Sequence, residues 1–575
     1  MKSICSIVRE AELNYTTGTT KQGKYVDWQM SDTVEKIDAY LNSKHTTGDT
    51  DSLGREKPFF NIVSAAVNIW YRATDIDRKN IKFIPTTTSS IPLAFVANII
   101  LRNWMNDNRF GQFLNSWGRS LARYGSSVPK FVEKAGKLIA SIVPWNRIIC
   151  DPVDFDALPR IEKFYKTPAQ LRKMGYYKDK VDELISAVNT RKTMAGLNKD
   201  TLNEFIEIYE VHGELDTRLL KEKPNESTED KDIKYRQQMH VVSFVLTDVK
   251  DVYNDFTLFK GRETKDPYTL THLIEEDGRT LALGAVEYSF DSQWMQNHTV
   301  KNMKDTLDIV SKLIMQTADT RYAGRNVLNA IETGDIFVHE PNMPLTRVAN
   351  DKPDITALQN FGAMWRSLGQ EITATPDALR GITPMSGTPL GTTELLASQA
   401  SSLFEIMTEN KGLHLEDMLK TYVIPHIKNK LKHKNEILAI LDDAGIAEID
   451  AMYIPKEAVK RFNTRNKEAI LTAQMTEPFN PMMEQEKIKQ EMASMGNKRS
   501  FVPDEINEAQ WDEMFSGFQW KNIRVEITNE NSDKQVVLGV LNEVFKTIIG
   551  LQGRPMSSDE KMIFNKILAE IAVLS

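Results

Sequence analysis

The sequence predicts an α+β protein that is mainly helical, and three observations predict it. Residues 57–291 alternate helix-spaced segments with short runs of strand-like alternation. From Ser292 onward come long stretches with apolar positions three and four apart. The 575 residues exceed what one hydrophobic core can serve, so several packing units are expected. A composition of 41% hydrophobic and 26% charged residues is that of a folded globular chain.

Residues 1–56 are polar and turn-rich (TTGTTKQGK, HTTGDTDSLGREK) and read as a lead-in arm, with a helix over 31–41 capped by Ser31 and Asp32. In PFFNIVSAAVNIWYRATDI the apolar positions 59, 62, 63, 66, 67 and 70 keep helical spacing, and a strand follows over 81–84. SSIPLAFVANIILRNWMND opens a helix with Ser90 as cap and Pro92 in its first turn. FGQFLNSWGRSLARYG continues as a second helix that stops at Gly125. Residues 127–132 and 138–143 alternate about a turn at 134–137, where Gly136 can take positive φ, so a hairpin is expected. Strands are expected over 146–150 and 160–165, then a helix opened by Thr167 and Pro168. Two more strands, 205–212 and 240–248, flank the charged, loop-like 221–234.

From 292 to about 323 the spacing predicts one long helix with a narrow stripe of Val300, Met303, Leu307, Val310 and Ile314, suited to side-by-side helix packing. Residues 330–350 break it with Gly334, Pro341 and Pro344 and two strand-like runs, 335–339 and 345–348. A helix over 355–372 reverses direction and ends before Pro376. PDALRGITPMSGTPLG then holds three Gly and three Pro in sixteen residues, a loop that is either functional or a plain surface connector. The following helix, 392–431, contains Pro425 and should kink there. Beyond 434 the chain reads as helical and Met-rich, with a strand over 523–527 and two terminal helices, the last capped by Ser558.

The chemistry is sparse. With 72 Lys and Arg against 79 Asp and Glu the net charge is −7, the wrong sign for a protein that grips a phosphate backbone tightly. Two cysteines, Cys5 and Cys150, supply neither a disulfide framework nor a Cys-based zinc site. The opening MKSICSIVREAELNY does not read as a secretory signal, and the apolar runs 61–71 and 91–101 are too short to span a membrane. There is no GxxxxGK[ST], no GxGxxG after a strand, no HExxH and no GxSxG, so neither a motor ATPase nor the common hydrolases fit. Asp151, Asp154 and Asp156 in CDPVDFDALP suit either a hard cation or an Asp-Pro turn. His426 and His433 fall two turns apart on a predicted helix, and Trp294, Trp365, Trp511 and Trp520 suit core or subunit contacts better than base stacking.

The order of these elements resembles the portal proteins of tailed bacteriophages, the ring subunits of the head-tail connector. PFFNIVSAAVNIWYRA, SLARYGSSVPKFV, VPWNRIICDPVDFDALPRIEKFYKTPAQL and TPLGTTELLASQASSLFEIMTEN carry the resemblance, which covers about 57–432. It implies a portal fold: arm 1–56, α+β wing 57–291, stem helix 292–327, clip 328–352, second antiparallel stem helix 353–375, tunnel loop 376–391, kinked wing helix 392–432 and a helical crown over 433–575. It implies no enzymatic activity, no cofactor and no metal. The expected partners are further copies in a ring, commonly of twelve, double-stranded DNA in transit, the terminase large subunit, a head-tail adaptor and the major capsid protein, with no membrane. The expected location is the portal vertex of the virion, after assembly in the host cytoplasm. The tunnel loop would present Arg380, Gly381, Ile382, Thr383, Pro384, Met385, Ser386 and Gly387 to DNA. The stem would offer Lys301, Lys304, Lys312, Arg321, Arg325 and Arg366 for loose phosphate contact or for pairing with Asp305, Asp308 and Asp319. The clip would dock partners through Asp335, Phe337, His339, Glu340 and Arg347. The rival readings are a structural virion component without a DNA channel and a metal-dependent nucleic-acid enzyme built on Asp151, Asp154 and Asp156.

Overall fold

The computed structural model describes residues 3–18, 28–52, 54–76, 78, 81–85, 98, 101–134, 136–194, 205–220, 234–247, 252–311, 315–322, 338, 340–344, 346–347, 355–375, 390–426, 437–440, 454–455, 458–459, 461–467, 480–494, 498–501 and 523–527. The architecture is α+β and mainly helical, built around one five-stranded and one three-stranded sheet. No described helix is long and apolar enough to cross a membrane.

The five-stranded antiparallel sheet runs β4 (Ile148–Ile149), β5 (Arg160–Lys166), β6 (Ile206–Asp216), β7 (Tyr235–Leu246), β8 (Tyr253–Arg262) in spatial order. Period-two alternation along β6 sends Ile206 and Ile208 to one face and Tyr209, Val211 and Leu215 to the other. The first face is covered by α5 (Pro168–Lys173) and α6 (Lys178–Met194) through Leu171, Val181, Leu184 and Ile185. The second is covered by α1 (Ile4–Thr17) through Ile4, Cys5, Val8 and Ala11. Residues 1–56 are therefore more than a polar lead-in, because their first helix closes a sheet face. Neither α1, α6 nor β8 was expected from the sequence.

The second unit centres on the expected hairpin. β2 (Ser126–Lys134) and β3 (Lys137–Val143) pair antiparallel, Gly136 has φ 71°, and β9 (Thr271–His272) joins the other edge of β2. Against them pack α2 (Met30–Leu41), α3 (Val63–Ala73) and α4 (Phe110–Tyr124), with Trp70, Trp117 and Trp145 in the core. Helical residues 101–107 contribute Leu101 and Trp104. α4 ends as its sequence predicts, with Gly125 left-handed at φ 73° and its N–H bonded to Leu121 at 2.8 Å. α5 has the full capping box expected of Thr167, with Gln170 answering it.

Two expectations change here. The cap of α2 is Gln29, without a side-chain bond, not Ser31 or Asp32, since Thr33 instead turns its hydroxyl back to the Gln29 carbonyl. The strand expected over 146–150 is a 3₁₀ turn, Trp145–Arg147, followed by only Ile148–Ile149, because Trp145 is drawn into the core.

After a short helix, α7 (Ala285–Tyr288), come α8 (Phe290–Ser311), a two-stranded excursion of β10 (Met315–Gln316) and β11 (Thr346–Arg347), and α9 (Ile355–Ile372). α8 stops well short of 323, because the chain has turned into β10 by Met315. α10 (Leu390–Met418) passes into a π-turn at Leu419–Val423 just before Pro425. Proline lacks the N–H that would reach back to residue 421, and the turn answers by letting Ile424 donate to Leu419. The strand expected at 523–527 exists and pairs antiparallel with β1 (Ile81–Pro85) as β12 (Ile523–Ile527). Residues 221–233, 376–389, 427–433 and the terminal helices expected beyond 528 lie outside the described residues.

Candidate functional site

The α8–α9 hairpin is anchored by polar side chains. Gln293, fully buried, accepts the Ile62 N–H at 2.9 Å and donates to the Phe60 carbonyl at 2.7 Å and to Asn297 at 3.0 Å. Asn297 accepts the Phe60 N–H at 3.0 Å. These bonds fix the extended segment ahead of α3 onto the first turns of α8, and they satisfy groups that burial would otherwise penalise. Ser292, Gln296 and Thr299 lie buried beside them and meet α9 at its glycines. A Cβ on Gly362 would lie 3.4 Å from Thr299, and one on Gly369 would lie 3.0 Å from Ser292. As α9 advances from 362 to 369 its neighbour recedes from 299 to 292, so the helices run antiparallel. Trp70 pins the far end, donating to the Thr373 carbonyl at 2.9 Å.

The hairpin's polarity is inverted. Its inner seam is polar or glycine, while Leu358, Phe361, Trp365, Leu368 and Ile372 on α9 stand half-buried or exposed. Their spacing of three, four, three and four is that of a helix-packing stripe. The stripe is offset by one residue from the glycine seam, about 100° around the helix. On α8 the expected apolar stripe is likewise not core: Val300 and Met303 are half-buried, and Leu307 is 50% exposed. Trp294, 53% exposed, stacks on His298 with ring centroids 5.7 Å apart.

The basic residues expected to line this hairpin separate. Lys301 is half-buried on α8, and Lys304 donates to the Glu56 carbonyl at 3.3 Å. Asp305 takes Arg55 at 3.4 Å rather than a lysine of its own helix. Arg321 is not on the stem helix at all. It follows β10 and binds Asp319 through both Nε and Nη2, at 3.0 and 2.6 Å, with Glu340 at 3.9 Å. That guanidinium, assisted by the backbone N–H groups of Arg321 and Glu340, holds the Asp319 carboxyl well below its ordinary range. Asp319 thereby ties the two arms of the excursion together, the backbone N–H of Glu340 donating to it at 3.2 Å. Arg347 pairs with Met315 in the strand register. Arg366 lines a cleft of roughly 110 Å³ where α9 meets Phe60, Ile62 and Ser289. Lys312, Arg325, Asp335, Phe337, His339 and the whole run Arg380 to Gly387 lie outside the described residues.

The aspartates of CDPVDFDALP form turns. Asp151 accepts the N–H groups of Val153 at 2.9 Å and Asp154 at 3.2 Å, Asp154 accepts that of Asp156, and Asp156 pairs with Arg160 at 2.5 Å. One oxygen of each accepts a donor from the protein, and no cluster arranged to hold a metal occurs among the described residues. His426 is buried 3.3 Å from Glu133; its expected companion His433 is not among the described residues, nor are Trp511 and Trp520.

No protein-family model matches this sequence, and no curated protein matches it either. The residues that sequence reasoning missed are the glycines and the outward stripe of α9. Both were visible in LQNFGAMWRSLGQEI as two interleaved seven-residue spacings, one of small residues and one of large apolar ones.

Proposed function

We propose that the chain is a portal-type subunit that closes into a ring around a DNA channel at a capsid vertex. The observation that carries this reading is the inverted hairpin: two antiparallel helices whose mutual contact is polar and small, and whose large apolar side chains face outward. An exposed stripe with helix-packing spacing needs a neighbour, and repeated copies around an axis supply one to every subunit without leaving a free edge. Three further features support it: the short β excursion at the tip of the hairpin, the long helix after 376–389, and the π-turn at Leu419–Val423 just before Pro425, a feature of the kind that bends helices. In this reading the excursion receives the terminase during packaging and an adaptor afterwards, the wing faces the major capsid protein, and the chain supplies no hydrolysis of its own. The net charge of −7 suits a conduit, since a surface that neutralised many phosphates would resist sliding.

The test is the mass and shape of the purified protein by mass photometry and negative-stain imaging. A ring of about twelve 65.5 kDa subunits has a mass of roughly 0.79 MDa and a central hole. A closed shell, or a compact dimer without a hole, overturns the reading.

A further inference from the structure

A network of buried charge joins the two sheets. Lys130 on β2 reaches across to Glu162 on β5 at 2.8 Å and to Glu210 on β6 at 2.6 Å, and all three are almost wholly inaccessible. His212, two residues further along β6, places Nε2 2.7 Å from Glu210 and Nδ1 2.8 Å from Glu263. A ring nitrogen facing a carboxylate at that distance carries a proton, and here both nitrogens face one. This geometry favours the imidazolium form of the ring. Tyr268 closes the circuit, its hydroxyl donating to Glu162 at 3.0 Å and its ring packing edge-on against His212.

Glu263 begins a segment that leads from the sheet to the bend in α10. Asp266 pairs with Arg160, which also holds Asp156, and the Pro267 carbonyl accepts from Phe131 at 2.9 Å. Lys265 donates to the Thr421 carbonyl at 2.9 Å, the very acceptor that Pro425, four residues later and without an N–H, leaves unserved. Tyr422 donates to the Asp266 carbonyl at 2.8 Å and stacks on Phe131 with centroids 4.5 Å apart. Both the Thr421 carbonyl and the Tyr422 side chain of the π-turn are thus held by 265–269, and Tyr422 also meets β2.

We propose that residues 263–268 form a strap that fixes the bend of α10 to the five-stranded sheet, latched at the sheet by the His212 imidazolium, so that loss of this proton loosens the bend. The proposal does not depend on ring formation. Deprotonation would leave Glu162, Glu210 and Glu263 facing Lys130 alone, and would turn one of the two His212 contacts into lone pair against carboxylate. The other groups around the ring do not compensate. Arg160 is committed to Asp156 and Asp266. His240 on β7 is held neutral, down to about 4, by burial and by the charges of Lys260 and His212. Tyr268 and Tyr176 are kept protonated by burial and by the carboxylates.

The direction of the effect follows. Burial works against the charge on His212, but the bonds to Glu210 and Glu263 outweigh it and raise its affinity for the proton above the ordinary histidine value of 6.5. A raised folded value means the latch is complete below pH 6.5 and is lost as pH rises through the folded value. Glu210 moves the other way. Burial opposes its charge, yet His212 and Lys130 bring it down to about 2, so acid undoes its share only below the ordinary range.

The experiment is hydrogen exchange on the full chain from about pH 6 to about pH 9.5, corrected for intrinsic rates, read on peptides covering 415–426. Protection at the bend is expected to fall about tenfold across that range in the wild type, as one charged hydrogen bond is lost. His212→Gln should show the lower protection already at the acid end and no further response. Lys265→Met, at an exposed side chain outside the buried network, should lower protection at the bend at every pH while leaving the sheet peptides unchanged. A pH-independent wild type overturns the latch, and unchanged protection in Lys265→Met overturns the strap.

Discussion

Replacing Lys411 by methionine removes a charge from the interior while keeping most of the side chain's length. Lys411 is 1% exposed on α10, donates to the Thr74 carbonyl at 2.6 Å and lies 5.3 Å from the centre of the Trp117 ring. Burial pushes its ammonium down from 10.5 to about 8, with Asp75 only partly restoring it. At about 1.36 kcal/mol per unit, keeping it charged at neutral pH costs about 3 kcal/mol. The unfolded chain holds the proton up to 10.5 and the folded chain releases it near 8, so the cost is complete below pH 8 and is gone above 10.5. Methionine removes the cost but leaves the Thr74 carbonyl without this donor, a loss of about 1–3 kcal/mol. Lys411→Met should therefore be as stable as the wild type or up to about 2 kcal/mol more stable near pH 7, and about 1–3 kcal/mol less stable near pH 10.5. Urea midpoints followed by tryptophan fluorescence across that range give the difference between the two proteins, which cancels groups titrating in both. A difference that does not change with pH would refute the reasoning, because it would mean that the ammonium is solvated.

Gly284→Ala should unfold the centre of the molecule: its Cβ would lie 2.3 Å from the Arg123 carbonyl oxygen and 2.5 Å from the Gly125 nitrogen, both backbone, and soluble yield should collapse while Gly175→Ala, with open space around it, matches the wild type. Gly362→Ala has ordinary contact distance and gains up to about 1 kcal/mol of helix propensity, whereas Gly369→Ala meets Ser292 at 3.0 Å and should gain less or nothing, as thermal midpoints will show. If the chain forms the proposed ring, Leu307→Asp combined with Met364→Asp, both about half exposed, should leave the circular dichroism spectrum unchanged and abolish the ring-sized particle in mass photometry; a ring that survives both changes places the subunit contact elsewhere. Thr167→Ala removes the cap on α5 and should cost about 1 kcal/mol by urea titration.

Local signals were legible where one turn of chain decides the outcome. Gly125, Gly136, Thr167 with Pro168, and the span of α9 all follow from nearest-neighbour chemistry, and the structure agrees with each. What the sequence hid was settled by contacts far along the chain. α6 escaped because KDKVDELISAVNTRKTM buries only a few residues on the sheet, and β8 because YNDFTLFKGR is an edge strand, paired with β7 alone, whose polar first residues stay exposed. The early end of α8 depends on β11, thirty residues later, pulling Met315 into a ladder. The His212 network joins positions 130, 162, 210, 212 and 263, and no spacing in the sequence announces that they meet.

The stripe on α8 exposes the weak step in reading helices by apolar spacing alone. The spacing of Val300, Met303 and Leu307 suits a neighbouring helix but does not say whether that helix belongs to the same chain. The hairpin instead spends its inner face on Gly362, Gly369, Ser292, Gln296 and Thr299, a seam too narrow for large side chains. Fully burying one large apolar residue stabilises by roughly 1.5–3 kcal/mol, so a hairpin that turns such residues outward gives up several of these terms in the isolated chain. Its lone-chain anchorage is correspondingly polar: the Gln293 and Asn297 bonds at one end, and the Trp70 bond at the other. Specific hydrogen bonds fix where the hairpin points, while the apolar stripe is left available for association. Were the chain to assemble as proposed, that division of labour would let it be correctly shaped before its neighbours arrive and gain most of its hairpin's burial only when they do.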